Sequence, residues 1–173
     1  MTEPQLFIVL LGAKHAQARV EVHDIIPVIY PQLEQSYPQL KQRWFGVPQG
    51  LHIDAWMCIR GVQYQGVNYR VEIVPYSKPM RSQLKLYLIN LGAYLADEFG
   101  EFHRYVVVAG MNPADAKQQG KLHIEQHWRK AHTDAVIDID ECLALDLIDG
   151  YAVHLVQGNF KENHFENAYI VLD

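Results

Sequence analysis

Apolar residues fall along this chain in short runs of two kinds, and both kinds predict strands. Residues 6–11, Leu-Phe-Ile-Val-Leu-Leu, are apolar without alternation and stop at Gly12, the pattern of a strand covered on both faces and therefore central in a sheet. Residues 19–24 alternate instead, with Val20 and Val22 on one side and Glu21 and His23 on the other, before residues 25–29 continue the run. Pro27 has no N–H for a ladder, so this second strand is expected at a sheet edge or with a bulge. Leu33, Tyr37, Leu40 and Trp44 then form a helical stripe that ends at Gly46. Pro38 fits only the first turn of a helix, which places the regular start at Tyr37. Residues 52–58 predict a third strand, the stretch containing Gly61 and Gly66 a polar loop, and the alternating residues 69–74 a half-buried fourth strand.

The same order returns after residues 75–84, whose prolines, serines and basic residues read as an exposed connection. Residues 86–91 and 100–109 are the first two strands again. Asn112 is a helix N-cap with Pro113 in the first helical position, and the helix runs toward Trp128. Residues 132–139 and 151–156 complete the set, and residues 168–172 add a strand with no counterpart. Slid by eighty positions, residues 6–30 lie over 86–110 without a gap; Leu6/Leu86, Leu11/Leu91, Gly12/Gly92, Ala13/Ala93, Ala16/Ala96, Glu21/Glu101, His23/His103 and Val28/Val108 are identical. The same shift lays His52-Ile53-Asp54-Ala55 over His132-Thr133-Asp134-Ala135.

Self-similarity at this period predicts an α+β fold made by tandem duplication of a ββαββ unit. Residues 1–75 form the first repeat, 76–84 the linker and 85–173 the second repeat with its extra strand. Units this small bury modest cores alone, so the repeats are expected to pack as one pseudo-two-fold body. Two strands, a helix and two strands is the order of the β-grasp, or ubiquitin-like, roll, whose sheet order is 2-1-4-3. An open α+β sandwich with different pairing is the alternative.

A formal net charge of −5 and the lack of any Lys/Arg cluster exclude phosphate-backbone binding, so nucleic acid is not an expected partner. The N-terminus lacks a basic region, and the apolar run behind it is too short for a signal peptide or a membrane span. A cytoplasmic protein is expected, monomeric or homodimeric. Cys58 and Cys142, without a Cys-x-x-Cys spacing, read as free thiols.

The polar residues that recur are Glu21 and His23, Glu101 and His103, His52 and Asp54, and His132 and Asp134. Each pair is two apart on a strand and leaves one face. A carboxylate beside an imidazole fixes its tautomer and suits it to general-base work or to metal ligation. The same pairs also serve as a purely structural hydrogen-bonded network. In a 2-1-4-3 sheet, Glu21/His23 and His52/Asp54 would stand about 14 Å apart at opposite edges, and would meet partners only from the other repeat. His123 and His127 are one helical turn apart, a spacing that chelates metal, but Ile124 stands where the zincin pattern has Glu, and a solvated helix face is the simpler reading. No phosphate cradle, nucleophile elbow or cofactor motif is present.

The runs Leu-Phe-Ile-Val-Leu-Leu-Gly-Ala (6–13), Glu-Val-His-Asp (21–24), Trp-Phe-Gly (44–46) and Leu-His-Ile-Asp-Ala-Trp (51–56) resemble the bacterial domain of unknown function 1543. The resemblance spans nearly the whole chain in the two-copy form of that family. It implies a duplicated bacterial cytoplasmic protein with no assigned activity, and it supplies no chemistry. The second copy departs from the motifs, with Arg104 in place of Asp24 and Trp128-Arg129-Lys130 in place of Trp-Phe-Gly. The expected function is a duplicated binding or interaction module for a protein or small-molecule ligand. The alternative is a small hydrolase or lyase using carboxylate-assisted histidines where the repeats meet, with or without a metal.

Overall fold

A computed structural model of the chain describes residues 3–77, 83–94, 99–127 and 136–172. It is a sheet-dominated α+β fold of three antiparallel sheets. The first carries strand β1 (Gln5–Ala13) between β2 (Val22–Tyr30) and β3 (His52–Ile59), with β11 (His164–Val171) outside β3. The unbroken apolarity of β1 reflects that central place, and Pro27 lies on the edge strand, opposite Ile8. Between β2 and β3, a 3-10 helix (Leu33–Ser36) runs on into α1 (Tyr37–Arg43), which starts where Pro38 allows.

The second sheet has the order β4 (Gly61–Tyr64), β5 (Val67–Pro75), β10 (Tyr151–Gln157), β9 (Leu147–Ile148). The stretch read as a polar loop is thus partly the strand β4. Its Val62 is buried, and the Gln65-Gly66 turn, with both φ positive, closes a tight hairpin onto β5. Asp149-Gly150 does the same between β9 and β10. In the third sheet, β6 (Lys85–Tyr94) lies between β7 (Glu101–Gly110) and β8 (Val136–Ala144), and α2 (Pro113–His127) packs on it.

The 2-1-4-3 roll order is not what forms. β3 sits directly beside β1, and β5 leaves that sheet to pair with β10. The physical reason lies in the faces. The inner rows of β1 (Leu6, Ile8) and β6 (Leu86, Leu88) join Ile59, Val62, Leu145, Ile148, Val153 and Leu155 in one buried core shared by all three sheets. The opposite rows, Phe7-Val9-Leu11 and Tyr87-Ile89-Leu91, belong to separate clusters, with Leu40 of α1 and Ala116 of α2 respectively. The first and third sheets therefore each need cover on two sides, and the β5–β10 pair supplies one of them.

Asp149 also ties early and late residues together. It accepts from Gln39 Nε2 at 2.7 Å and from Ile29 N–H at 3.3 Å, and pairs with Arg43. At the start of α2, Asn112 Oδ1 caps the Asp115 N–H at 3.0 Å, as the sequence predicts. The Asp115 carboxylate accepts from Met111 N–H and from the Tyr64 hydroxyl, each at 2.8 Å. Its pKa is lowered, first by the Met111 N–H and, against some burial, by Tyr64 and Gln119. A depressed carboxyl contributes stability that is present above its unfolded pKa of about 4 and lost as pH falls through the folded value. Asp115→Asn is expected to flatten that acid loss, read as a smaller drop in urea midpoint between pH 7 and pH 3 than the parent shows. No helix among the described residues is long and apolar enough to cross a membrane. Cys58 and Cys142 are free thiols.

Candidate functional site

The inner row of β1 ends at Gly12, whose register partners are His23 on β2 and His52 on β3. Residues directly opposite in an antiparallel ladder share a face, so both imidazoles flank that glycine. The β3 ladder slips between Leu10 and Leu11, leaving Asp54 as the extra residue of a bulge. Glu21, just before β2, completes the group. His23 Nε2 stands 3.2 Å from Asp54 Oδ2 and 3.7 Å from Glu21 Oε2. His52 Nε2 stands 3.2 Å from Asp54 Oδ1 and 3.3 Å from Glu21 Oε1. Each carboxylate thus spans the two imidazoles, one oxygen to each, in a closed ring. The expectation that these pairs occupy opposite sheet edges is corrected here, because β1 alone separates β2 from β3.

Gly12 is the floor of the ring. A Cβ there would press on the Asp54 carboxylate and stand 2.9 Å from His52 Nε2. His52 is 3% exposed, whereas the side chains of His23 and Glu21 are 46% and 45% exposed, so the ring has a fixed inner wall and an open outer one. His52 Nδ1 lies 2.8 Å from the Gly50 carbonyl, which only accepts, so this nitrogen carries the proton. The Tyr169 ring on β11 lies over the imidazole, centroids 4.2 Å apart.

The third sheet builds a related cluster. Gly92 is opposite His103 on β7 and Asp138 on β8, and the β8 ladder slips between Asn90 and Leu91, leaving Asp140 extra. His103 lies 3.2 Å from Asp140 and 3.8 Å from Glu101, and donor atoms of the three lie within 4.8 Å of one another. A Cβ on Gly92 would stand 2.6 Å from Glu101 Oε1. By register, Asp140 takes in this sheet the place that Asp54 has in the first, and Asp138 that of His52, where the shift of eighty pairs them with Asp134 and His132. Those two residues lie outside the described ones. Sequence comparison at one fixed shift misses Asp140 because the segment before β8 is longer; Ile53-Asp54 against Ile139-Asp140, eighty-six apart, is the signal that finds it.

Tyr105 on β7 packs, partly buried, against the core that the sheets share. Its phenol is pushed up, first by burial and then by the carboxylates of Asp24 on β2 and Asp140 on β8, so charges of both sheets reach one group. His123 and His127 sit on α2, where His123 joins no group of metal-type donors among the described residues, and the side chain of His127 lies outside them. A cavity of 560 Å³ lined by Pro4, Ile29, Tyr30, Gln39, Asp149 and Tyr151 opens at the far end of β2 from His23 and takes in none of the residues singled out from the sequence.

Residues 18–73, which contain Glu21, His23, His52 and Asp54, match the family model of the Domain of Unknown Function DUF1543. Among solved structures the chain is similar to protein Il1583 from Idiomarina loihiensis, with 28% identity over 99% of both chains and a TM-score of 0.74. No curated protein matches it.

Proposed function

We propose that this chain is a tandem duplication serving as a binding module in the bacterial cytoplasm, with the ring over Gly12 as its site for a positively charged ligand. Residues 1–75 and 85–173 are the two repeats, joined by 76–84. The β5–β10 register supports the duplication. Glu72 faces His154, its own counterpart at a shift of eighty-two, and Val71/Leu155 and Ile73/Val153 exchange partners about that point. This is the self-complementary pairing that a two-fold axis generates. The free thiols fit a reducing compartment.

The observation that carries the ligand reading is that Glu-x-His and a bulge aspartate are built over a glycine in both sheets. A merely structural network has no need of a bare glycine beneath it. Two carboxylates meet there, and among the described residues neither Glu21 nor Asp54 pairs with a Lys or Arg, so the ring is an acceptor of positive charge. A second reading, a small hydrolase or lyase, rests on His23, an accessible imidazole held 3.2 Å from Asp54. It requires turnover of a bound ligand that stops in His23→Ala.

Thermal unfolding of the full chain tests the main reading, because a ligand that binds only the folded state raises Tm. Methylammonium, guanidinium and divalent metal ions are compared with phosphate and acetate, in the parent and in Asp54→Asn. A rise in Tm with at least one cation, confined to the parent, is expected. No stabilisation by any cation, or an equal response of the variant, contradicts the reading.

A further inference from the structure

We propose that the ring over Gly12 takes a guanidinium group, that of a free small molecule or of an arginine side chain. The inference rests on the reading of the ring as a site for a cation, and names which cation.

The ring is rich in acceptors and short of protons. His52 donates its one proton from Nδ1 to the Gly50 carbonyl, so in the neutral imidazole Nε2 presents a lone pair. The residue is 3% exposed, and this nitrogen faces Glu21 Oε1 at 3.3 Å and Asp54 Oδ1 at 3.2 Å. Neither contact is a hydrogen bond, and the buried Nε2 has no partner among the described residues. Asp54 Oδ2 is buried in the same way, with His23 Nε2 standing 3.2 Å away but without the alignment of a bond. Two carboxylates and a lone pair meeting like this repel one another until N–H groups come among them. Glu21 and His23 are half exposed and free to swing outward and admit such a group. A quaternary ammonium brings no N–H, so the cation must carry several donors.

Spacing separates the remaining candidates. No three donor atoms drawn from Glu21, His23, His52 and Asp54 lie within 4.8 Å of one another among the described residues. A transition-metal ion holds neighbouring ligands roughly 3 Å apart, and acceptors around one ammonium nitrogen stand about 4.7 Å apart at ordinary hydrogen-bond lengths. A guanidinium spreads its N–H donors over three nitrogens, so it reaches acceptors that do not converge on one point. Its two-pronged edge also matches a carboxylate, and the ring holds two. Tyr169 adds a surface that a flat cation uses more than an ammonium does. Its ring lies over His52 yet the residue is 70% exposed, which leaves aromatic surface beside the acceptors for stacking.

The test titrates the full chain with methylguanidinium, methylammonium and tetramethylammonium, followed by nitrogen NMR of the histidine rings. Methylguanidinium is expected to shift the ring nitrogens of His52 and His23 and to bind about tenfold more tightly than methylammonium, with tetramethylammonium moving neither. Asp54→Asn and Glu21→Gln, which keep the side-chain shape, are each expected to weaken methylguanidinium by about tenfold or more. Tyr169→Leu, at an exposed position, is expected to weaken it about threefold and to leave methylammonium nearly unchanged. His164→Ala, outside the ring, leaves both affinities as they are. Free arginine and a capped Gly-Arg-Gly peptide separate the two sources, and tighter binding of either supports the proposal. Methylammonium binding as tightly as methylguanidinium, a ratio unmoved in Tyr169→Leu, or an equal loss in His164→Ala overturns the guanidinium. If methylammonium then still fails to bind Asp54→Asn, the cation reading stands without it; no shift of His52 or His23 by any cation sinks both.

Discussion

Gly12→Ala is expected to leave the chain folded and to abolish cation binding at the first ring. The added methyl meets side-chain atoms there. The Asp54 carboxylate is the end of a partly exposed side chain and turns away, whereas His52 Nε2, 2.9 Å from the new Cβ, sits on a buried ring pinned by Gly50 and Tyr169. Contact relief therefore falls on Asp54, and losing that donor opens the ring. The stability cost is expected to stay near 1–2 kcal/mol, within the range for overpacking a site that can yield, while the cation-induced rise in Tm disappears. A loss of cooperative unfolding would instead place Gly12 in the folding core, and retained binding would show that the ring has room the structure does not leave.

Leu6→Ala is expected to destabilise by about 2–5 kcal/mol, the cost of a large-to-small change where the surroundings cannot collapse. Leu6 is fully buried on the inner face of the central strand, and its cluster draws on all three sheets. A cavity there loosens the packing between the first and third sheets together. Urea unfolding should show a lower midpoint with an unchanged slope, since a smaller side chain barely alters the surface exposed. Val20→Ala, at 77% exposure, is the control and should stay within about 0.5 kcal/mol of the parent. A small effect from Leu6→Ala would contradict a single core shared among the sheets.

Much of the fold was legible in local pattern. Unbroken apolarity placed β1 inside its sheet, Pro27 placed β2 at an edge, Pro38 set the start of α1, and Asn112 capped α2. Each inference concerns what a residue's own backbone or side chain permits. Neighbours across space were less legible. Alternation says which face a side chain leaves and not which strand lies alongside, so β3 was expected far from β2 and is one strand away. The short β4 was hidden because Gly61 and Gly66 flank only four residues, and its pairing depends on a turn closing rather than on apolar periodicity.

The site divides in the same way. Glu21, His23, His52 and Asp54 were visible as recurring or closely spaced polar residues, and so were Glu101 and His103. Asp140 was not, because it is the extra residue of a bulge, and a fixed shift of eighty lands instead on His132 and Asp134. The register, with Gly12 and Gly92 each opposite a histidine on the second strand, places Asp140 where Asp54 stands in the first sheet. The glycine floor was visible as an identity and invisible as a requirement until side chains were seen to converge above it.

The most direct measurement is a crystal structure of the full chain grown with whichever cation raises its Tm most. The account predicts that cation over Gly12, in contact with the Asp54 and Glu21 carboxylates. That cation bound only elsewhere, with the two carboxylates still facing the imidazoles and nothing between them, would contradict it.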